Sequence, residues 1–250
     1  IYYLPQNHPA RGSGIVLCYP MGQEYMWMHR AYRQLAMLFS RAGFHVLRFD
    51  YYGCGDSGGD TEEGDVTQWL EDISTAIEEI KDSSGLDSVT LVGFRLGATL
   101  SVLAGSQRND VDNVVLWDPV VNGRSYVEEL LQMHRAWAEN NLPDPGYASE
   151  NNGSLEIMGF PLTNRLRGDL EKINLLKIEQ RIADQVCFVE SGKASDVSVV
   201  RHHLKKLSNR VDYNHIPGSK EWIRSAGLNP LAVPNQILQS IVSWVTEVNA

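Results

Sequence analysis

Cysteine is scarce in this 250-residue chain: Cys18, Cys54 and Cys187 are the whole supply, and none stands in a C-x-x-C spacing. Three thiols cannot all pair, so neither a secreted disulfide framework nor a structural zinc site is expected. Long apolar runs are missing too; none approaches the roughly 18 residues that a membrane-spanning helix needs. The chain does not open on a charged-then-apolar stretch, starting instead with Ile1-Tyr2-Tyr3, and a cytoplasmic location is the expectation. Basic charge is in deficit, with 22 Lys and Arg against 31 Asp and Glu and a net charge of −9. Such a surface repels phosphates and anionic headgroups, so neither nucleic acid nor a membrane is an expected partner. No H-E-x-x-H or comparable spacing marks a metal site, and no cofactor is expected. What remains is ordinary globular composition, 43% hydrophobic and 21% charged, which excludes collagen-like, coiled-coil and disordered chains.

The chain alternates short β-branched runs with longer helical stretches. Ile15–Tyr19 reads as a strand buried on both faces, and helical periodicity follows from His29 to Ala42, closed by Gly43. His45–Asp50 is the next strand. Val66, Trp69, Leu70, Ile73, Ile77 and Ile80 then fall at helical spacing. Val89–Val92 and Val114–Trp117 are strands around a helix at Leu96–Ala104. After Asn122 the pattern loosens into one helix, Tyr126–Ala138, and Pro- and Gly-containing pieces. Alternation returns with strand Gln185–Val189, helix Val197–Leu207, strand Val211–Tyr213 and helix Leu231–Val248. This predicts an α/β fold: a mostly parallel, doubly wound sheet with helices on both faces. Residues 1–121 and 176–250 form its core, and residues 122–175 read as a lid inserted over the carboxyl ends of the strands.

The loop after Val89–Val92 carries the most information. Strand, Gly93-Phe94-Arg95-Leu96-Gly97, then helix is the layout of a nucleophile elbow. Its central residue projects into the cleft, and the next amide, that of Leu96, helps to form an oxyanion hole. Here the central residue is Arg95, which has no nucleophilic atom and stays protonated.

With Phe49-Asp50-Tyr51-Tyr52-Gly53-Cys54-Gly55-Asp56-Ser57-Gly58-Gly59, this elbow resembles the α/β-hydrolase superfamily, in its serine-aminopeptidase-like branch. More narrowly, Gly53–Asp60, Trp69-Leu70-x-Asp72, Gly93–Ala98 and Leu116-Trp117-Asp118-Pro119-Val120 resemble the exosortase A system-associated hydrolases. In one group of those proteins an arginine also replaces the elbow serine. The resemblance implies an α/β-hydrolase fold. It also implies an acid in Glu190–Asp196, at Asp196 with Glu190 as substitute, and a base position in Ile216–Trp222, where relatives have I-P-G-x-x-H and this chain has Glu221. The triad therefore reads Arg95, Asp196, Glu221. Gly22 and Gln23, in Pro20-Met21-Gly22-Gln23-Glu24, stand where the family places its other oxyanion amide.

Two readings follow. In one, Arg95, Asp196 and Glu221 form a charge-assisted cluster that fills a disused active site. In the other, Arg95 holds an anionic small molecule, a carboxylate or phosphate, on a preformed site. The function expected is thus that of a pseudoenzyme-like binding or accessory protein, or of an unconventional enzyme acting on a small anionic or carbonyl-containing molecule. The alternative is an acyl hydrolase or acyltransferase with an unrecognised nucleophile. Ser57 is expected to shape its loop, and Cys18 and Cys54 to act as small buried hydrophobes. His202 and His203 are expected on a surface helix, with His215 at a strand end near the cleft. Trp27, Tyr126 and Trp137 are expected near the cleft mouth or in the lid. The oligomeric state stays open.

Overall fold

The computed structural model describes residues 1–6, 9–141, 154–192, 197–217 and 233–250. Strands β1 (Tyr2–Tyr3), β2 (Ser13–Cys18), β3 (His45–Arg48), β4 (Ser88–Phe94) and β5 (Asn113–Trp117) come first. A hairpin of β6 (Ser154–Ile157) and β7 (Phe160–Thr163) follows, and then β8 (Ala183–Glu190) and β9 (Ser208–His215). Seven of these form one sheet in the order β1-β3-β2-β4-β5-β8-β9, parallel throughout except at the edge strand β1. The helices are α1 (Gly22–Arg41), α2 (Val66–Ser84), α3 (Leu96–Gln107), α4 (Gly123–Asn141), α5 (Asn164–Lys172), α6 (Ser198–Leu207) and α7 (Asn235–Val248). This is the expected α/β-hydrolase architecture.

Local chemistry accounts for the elements. Every residue of β2 and β5 is buried, which is why both read as continuous apolar runs rather than alternating ones. Asp65 caps α2 by accepting a hydrogen bond from the Gln68 amide at 2.9 Å, and Gly85 ends it with φ 70°. Helix α3 is apolar almost all round, with Leu96 to Val102 buried without interruption. A helix of that kind belongs inside a fold.

Several expected boundaries move, β9 and α4 each being longer at both ends than the sequence pattern suggests. Helix α1 begins at Gly22, seven residues before His29, because Glu24 occupies an inward position in register with Met28, Ala31, Tyr32 and Leu35. A polar residue on the buried stripe hides the periodicity. The last helix begins at Asn235, since Val233 and Pro234 before it are not helical and Pro234 stands at its N-cap; the expected start at Leu231 lies outside the described residues.

Successive strands are added on one side of β2 with β3 and on the other with β4. The carboxyl ends of β2 and β4 are therefore where strand order reverses, the place where open α/β sheets leave a crevice. Register places Cys18 opposite Gly93, so the loops after β2 and β4 flank that crevice. The segment between β5 and β8 contributes α4, the β6–β7 hairpin and α5. It is tied to the core by an ion pair between Arg165 and the buried Asp65.

Candidate active site

The turn from β4 into α3 has the geometry of a nucleophile elbow. Arg95 has φ 50° and ψ −119°, a conformation that L-residues rarely adopt and that costs of order 1–3 kcal/mol. The turn is held by the Arg95 amide, which donates to the Trp117 carbonyl at 2.9 Å. Its glycines are sterically required. A Cβ on Gly93 would lie 2.4 Å from the Ala98 nitrogen, and one on Gly97 would lie 2.1 Å from the Cys18 carbonyl oxygen. Neither approach is tolerable, so α3 sits this close to β2 and β4 only because both positions lack a side chain.

Arg95 is not left as a bare positive charge. Its Nε donates to Glu24 Oε1 at 2.9 Å, and its Nη2 to Glu129. The guanidinium lies 5.3 Å from the centre of the Tyr126 ring, a cation–π distance. The Tyr126 hydroxyl donates to the other Glu24 oxygen at 2.8 Å. Glu24 comes from the first turn of α1, and Tyr126 and Glu129 from one face of α4, three residues apart. The cluster thus joins the elbow, the start of α1 and helix α4.

Its electrostatics follow from burial. The Glu24 side chain is 3% exposed and that of Glu129 47%. Burial pushes the Glu24 carboxyl up, outweighing the Arg95 charge and the Tyr126 hydroxyl that favour its ionised form. Burial alone would lower the Arg95 guanidinium, but Glu24 and Glu129 more than offset it and raise its pKa. The Tyr126 phenol is raised, first by burial and then by Glu24.

Of the expected triad, Arg95 stands at the elbow, whereas Asp196 and Glu221 lie outside the described residues. Arg95 nevertheless finds two carboxylates that sequence reading did not assign to it. Glu24 stood in the very loop singled out for Gly22 and Gln23, and the charge of Arg95 was the signal that a buried carboxylate had to be near. Gly22 has φ 59° and opens α1, directly before Gln23. Leu96 is the first residue of α3. Both helices therefore begin at the crevice, and amides at helix starts are suited to negative or carbonyl oxygens. Glu190, the substitute acid, is buried at the end of β8 and accepts a hydrogen bond from the Tyr213 hydroxyl. Asp118, at the end of β5 with φ 45°, accepts from the Ser191 amide at 2.8 Å and from the Ser191 hydroxyl.

The remaining candidates fall into place. Ser57 is exposed, and Cys54 is half-buried. Burial pushes the thiols of Cys18 and Cys54 up to about 12, far from the thiolate a nucleophile needs. His202 is exposed, His203 is half-buried against the Ile178 carbonyl at 2.9 Å, and the exposed His215 lies 2.9 Å from the Gly192 carbonyl. Among the described residues no cluster of His, Cys, Asp and Glu has the makings of a metal site, and no helix is long and apolar enough to cross a membrane.

A narrow apolar pocket adjoins the cluster. Glu24, Met21, Leu130, Met133, Ile157 and Phe160 are among the residues lining it, and it has room for about 10 Å³. That is space for at most one water.

The profile of the family Serine aminopeptidase, S33 matches residues 24–156, just over half of the chain. Among curated relatives, human ABHD12B is 38% identical over 94 residues, covering 36% of this chain and 25% of that protein. Human mitochondrial palmitoyl-protein thioesterase ABHD10 is 35% identical over 66 residues, covering 26% and 20%. The matches thus span a quarter or less of the length of these relatives. Among solved structures, Est1E from Butyrivibrio proteoclasticus with ferulic acid bound superposes with a TM-score of 0.67 at 16% identity. That match covers 99% of this chain and 93% of Est1E, and shows a shared fold.

Proposed function

The chain belongs to the serine aminopeptidase S33 family, and from that premise we propose that it has left the serine route and binds a small anionic or carbonyl-containing molecule. One observation carries this reading: Arg95 occupies the strained elbow, with φ 50°, from which a family nucleophile would attack. A guanidinium has no lone pair to add to a carbonyl and remains protonated, so no acyl–enzyme forms at that position. Its ionic partners support a retained, organised site rather than a collapsed one. In this reading Gly22, Gln23 and Leu96 supply amides to a ligand oxygen, Asp196 and Glu221 stand at the acid and base positions, and segment 122–175 acts as a lid. The finer likeness to exosortase A system-associated hydrolases is part of the same proposal.

The rival reading, an acyl hydrolase with another nucleophile, draws on the thioesterase activity in the name of ABHD10. Against it, the thiols of Cys18 and Cys54 are held protonated by burial. A serine-directed fluorophosphonate probe separates the two. The expected result is that no serine is labelled, and stoichiometric labelling of any serine overturns the proposal.

A further inference from the structure

The two carboxylates on Arg95 are not equivalent. Glu24 is enclosed, with one oxygen on Arg95 Nε at 2.9 Å and the other on the Tyr126 hydroxyl at 2.8 Å. Glu129 holds the Nη2 nitrogen of the guanidinium while half of its own side chain stays in solvent. It is carried by α4, the helix whose Leu130 and Met133 wall the apolar pocket beside Glu24. The opposite wall is the β6–β7 hairpin, with Ile157, Met158, Phe160 and Leu162. A charged anchor and an apolar slot therefore lie next to each other, and the same helix stops both.

We propose that Glu129 is an internal placeholder for the carboxylate of an amphiphilic monocarboxylic acid. This rests on the binding role proposed above and names its ligand class. The ligand head takes the place of Glu129 on Arg95 as that half-exposed side chain swings into solvent, Tyr126 keeps its bond to Glu24, and the flexible methionines of the slot shift to admit the apolar body of the acid. The exchange replaces one carboxylate by another, so the charge around Arg95 is unchanged. A phosphate ester with two negative charges would instead add repulsion from Glu24, and the site selects against it. Three of the slot residues are Met21, Met133 and Met158, unbranched side chains that adapt to a variable apolar shape. Because Glu129 competes from within the same molecule, at the high local concentration that tethering confers, it weakens the ligand it imitates.

The test is calorimetric titration of octanoate into the whole protein and into Glu129→Gln, with acetate and octyl phosphate titrated in parallel. The substitution leaves Glu24 on Arg95, and an unchanged circular dichroism spectrum verifies the fold. The expected result is that octanoate binds Glu129→Gln about tenfold or more tighter than the wild type, and tighter than either acetate or octyl phosphate. Met133→Trp, which fills the slot, is expected to abolish the advantage of octanoate over acetate. Unchanged or weaker octanoate binding in Glu129→Gln, equal binding of acetate, or no binding to either protein overturns the inference. The fluorophosphonate result is read independently: labelling of a serine removes the proposed function, whereas failed octanoate binding without labelling removes only the ligand assignment.

Discussion

Helix α3 carries an arginine at each end, and the two are held in opposite ways. Arg108, just past its carboxyl end, has extended backbone with φ −122° and a charge that complements the helix dipole. Its partners are close at hand or on the adjacent helix: Asp110 at 2.7 Å, and Glu78 of α2, with Lys81 joining Asp110 at 2.6 Å. Arg95, at the amino end, opposes the dipole, has φ 50° and a side chain 15% exposed, and recruits carboxylates 71 and 34 residues away. Nothing local favours an arginine there. Where a fold breaks local rules and then compensates from distant parts of the chain, the position is a candidate for function, which is the role proposed above for Arg95. Arg108 obeys the local rules and serves stability.

The largest effect that would test this contrast is loss of Arg95. Arg95→Ala strands a buried carboxylate, and at pH 8 it is expected to cost about 3–5 kcal/mol, or roughly 6–20 °C in melting temperature for a chain of this size. The cost should shrink at an acid pH low enough for the stranded Glu24 to take up a proton. Denaturant unfolding at the two pH values measures both, and a loss under about 1 kcal/mol at pH 8 would break the comparison.

Next comes the pH dependence, which has opposite sign at the two ends. Glu24 has a folded pKa raised above its unfolded value, first by burial. The folded state therefore holds that proton more tightly, and stability is lost as pH rises through the folded pKa. Asp110 is lowered, chiefly by the Arg108 hydrogen bond with help from Lys81. Its contribution is present above the ordinary carboxylate range and lost as pH falls through it. Melting curves across pH should show Glu24→Gln flattening a decline that sets in as pH rises above the ordinary carboxylate range, and Asp110→Asn flattening one that sets in as pH falls below it. Interchanged signs would refute the assignment.

The smallest effect belongs to Arg108→Ala. Its partners Asp110 and Glu78 are 37% and 59% exposed, so the expected cost is about 0.2–1 kcal/mol and fades in molar salt. A salt-independent loss as large as that of Arg95→Ala would show that the two ends are not different in kind.

Much of the framework is legible in the residues. Strands β2, β4 and β5 are runs of Val, Ile and Leu because both faces are covered, and α2 shows its stripe because its outer face is in water. The elbow is legible as well, since Gly93 and Gly97 are demanded by contacts that no side chain could survive. Less legible are the pieces whose partners are remote. Edge strand β1 is two residues long and exists only by pairing with β3. The β6–β7 hairpin begins at Ser154 and turns at Met158-Gly159, both with positive φ, and its short apolar pieces show no repeat long enough to count. Helix α5, capped by Thr163, lay in the same loosened stretch.

The site divides along the same line. By itself the sequence determined that the elbow holds an arginine, that this arginine cannot act as a nucleophile, and that it needs carboxylates, because these are properties of residue type and local backbone. Which carboxylates answer it was decided only by the tertiary structure. Glu24 reads as one more polar residue until α1 turns it inward, and Glu129 as one more exposed acid until α4 crosses the crevice. Charge pairing acts over a few ångströms in space and is blind to separation along the chain, so no spacing rule in the sequence could have chosen them.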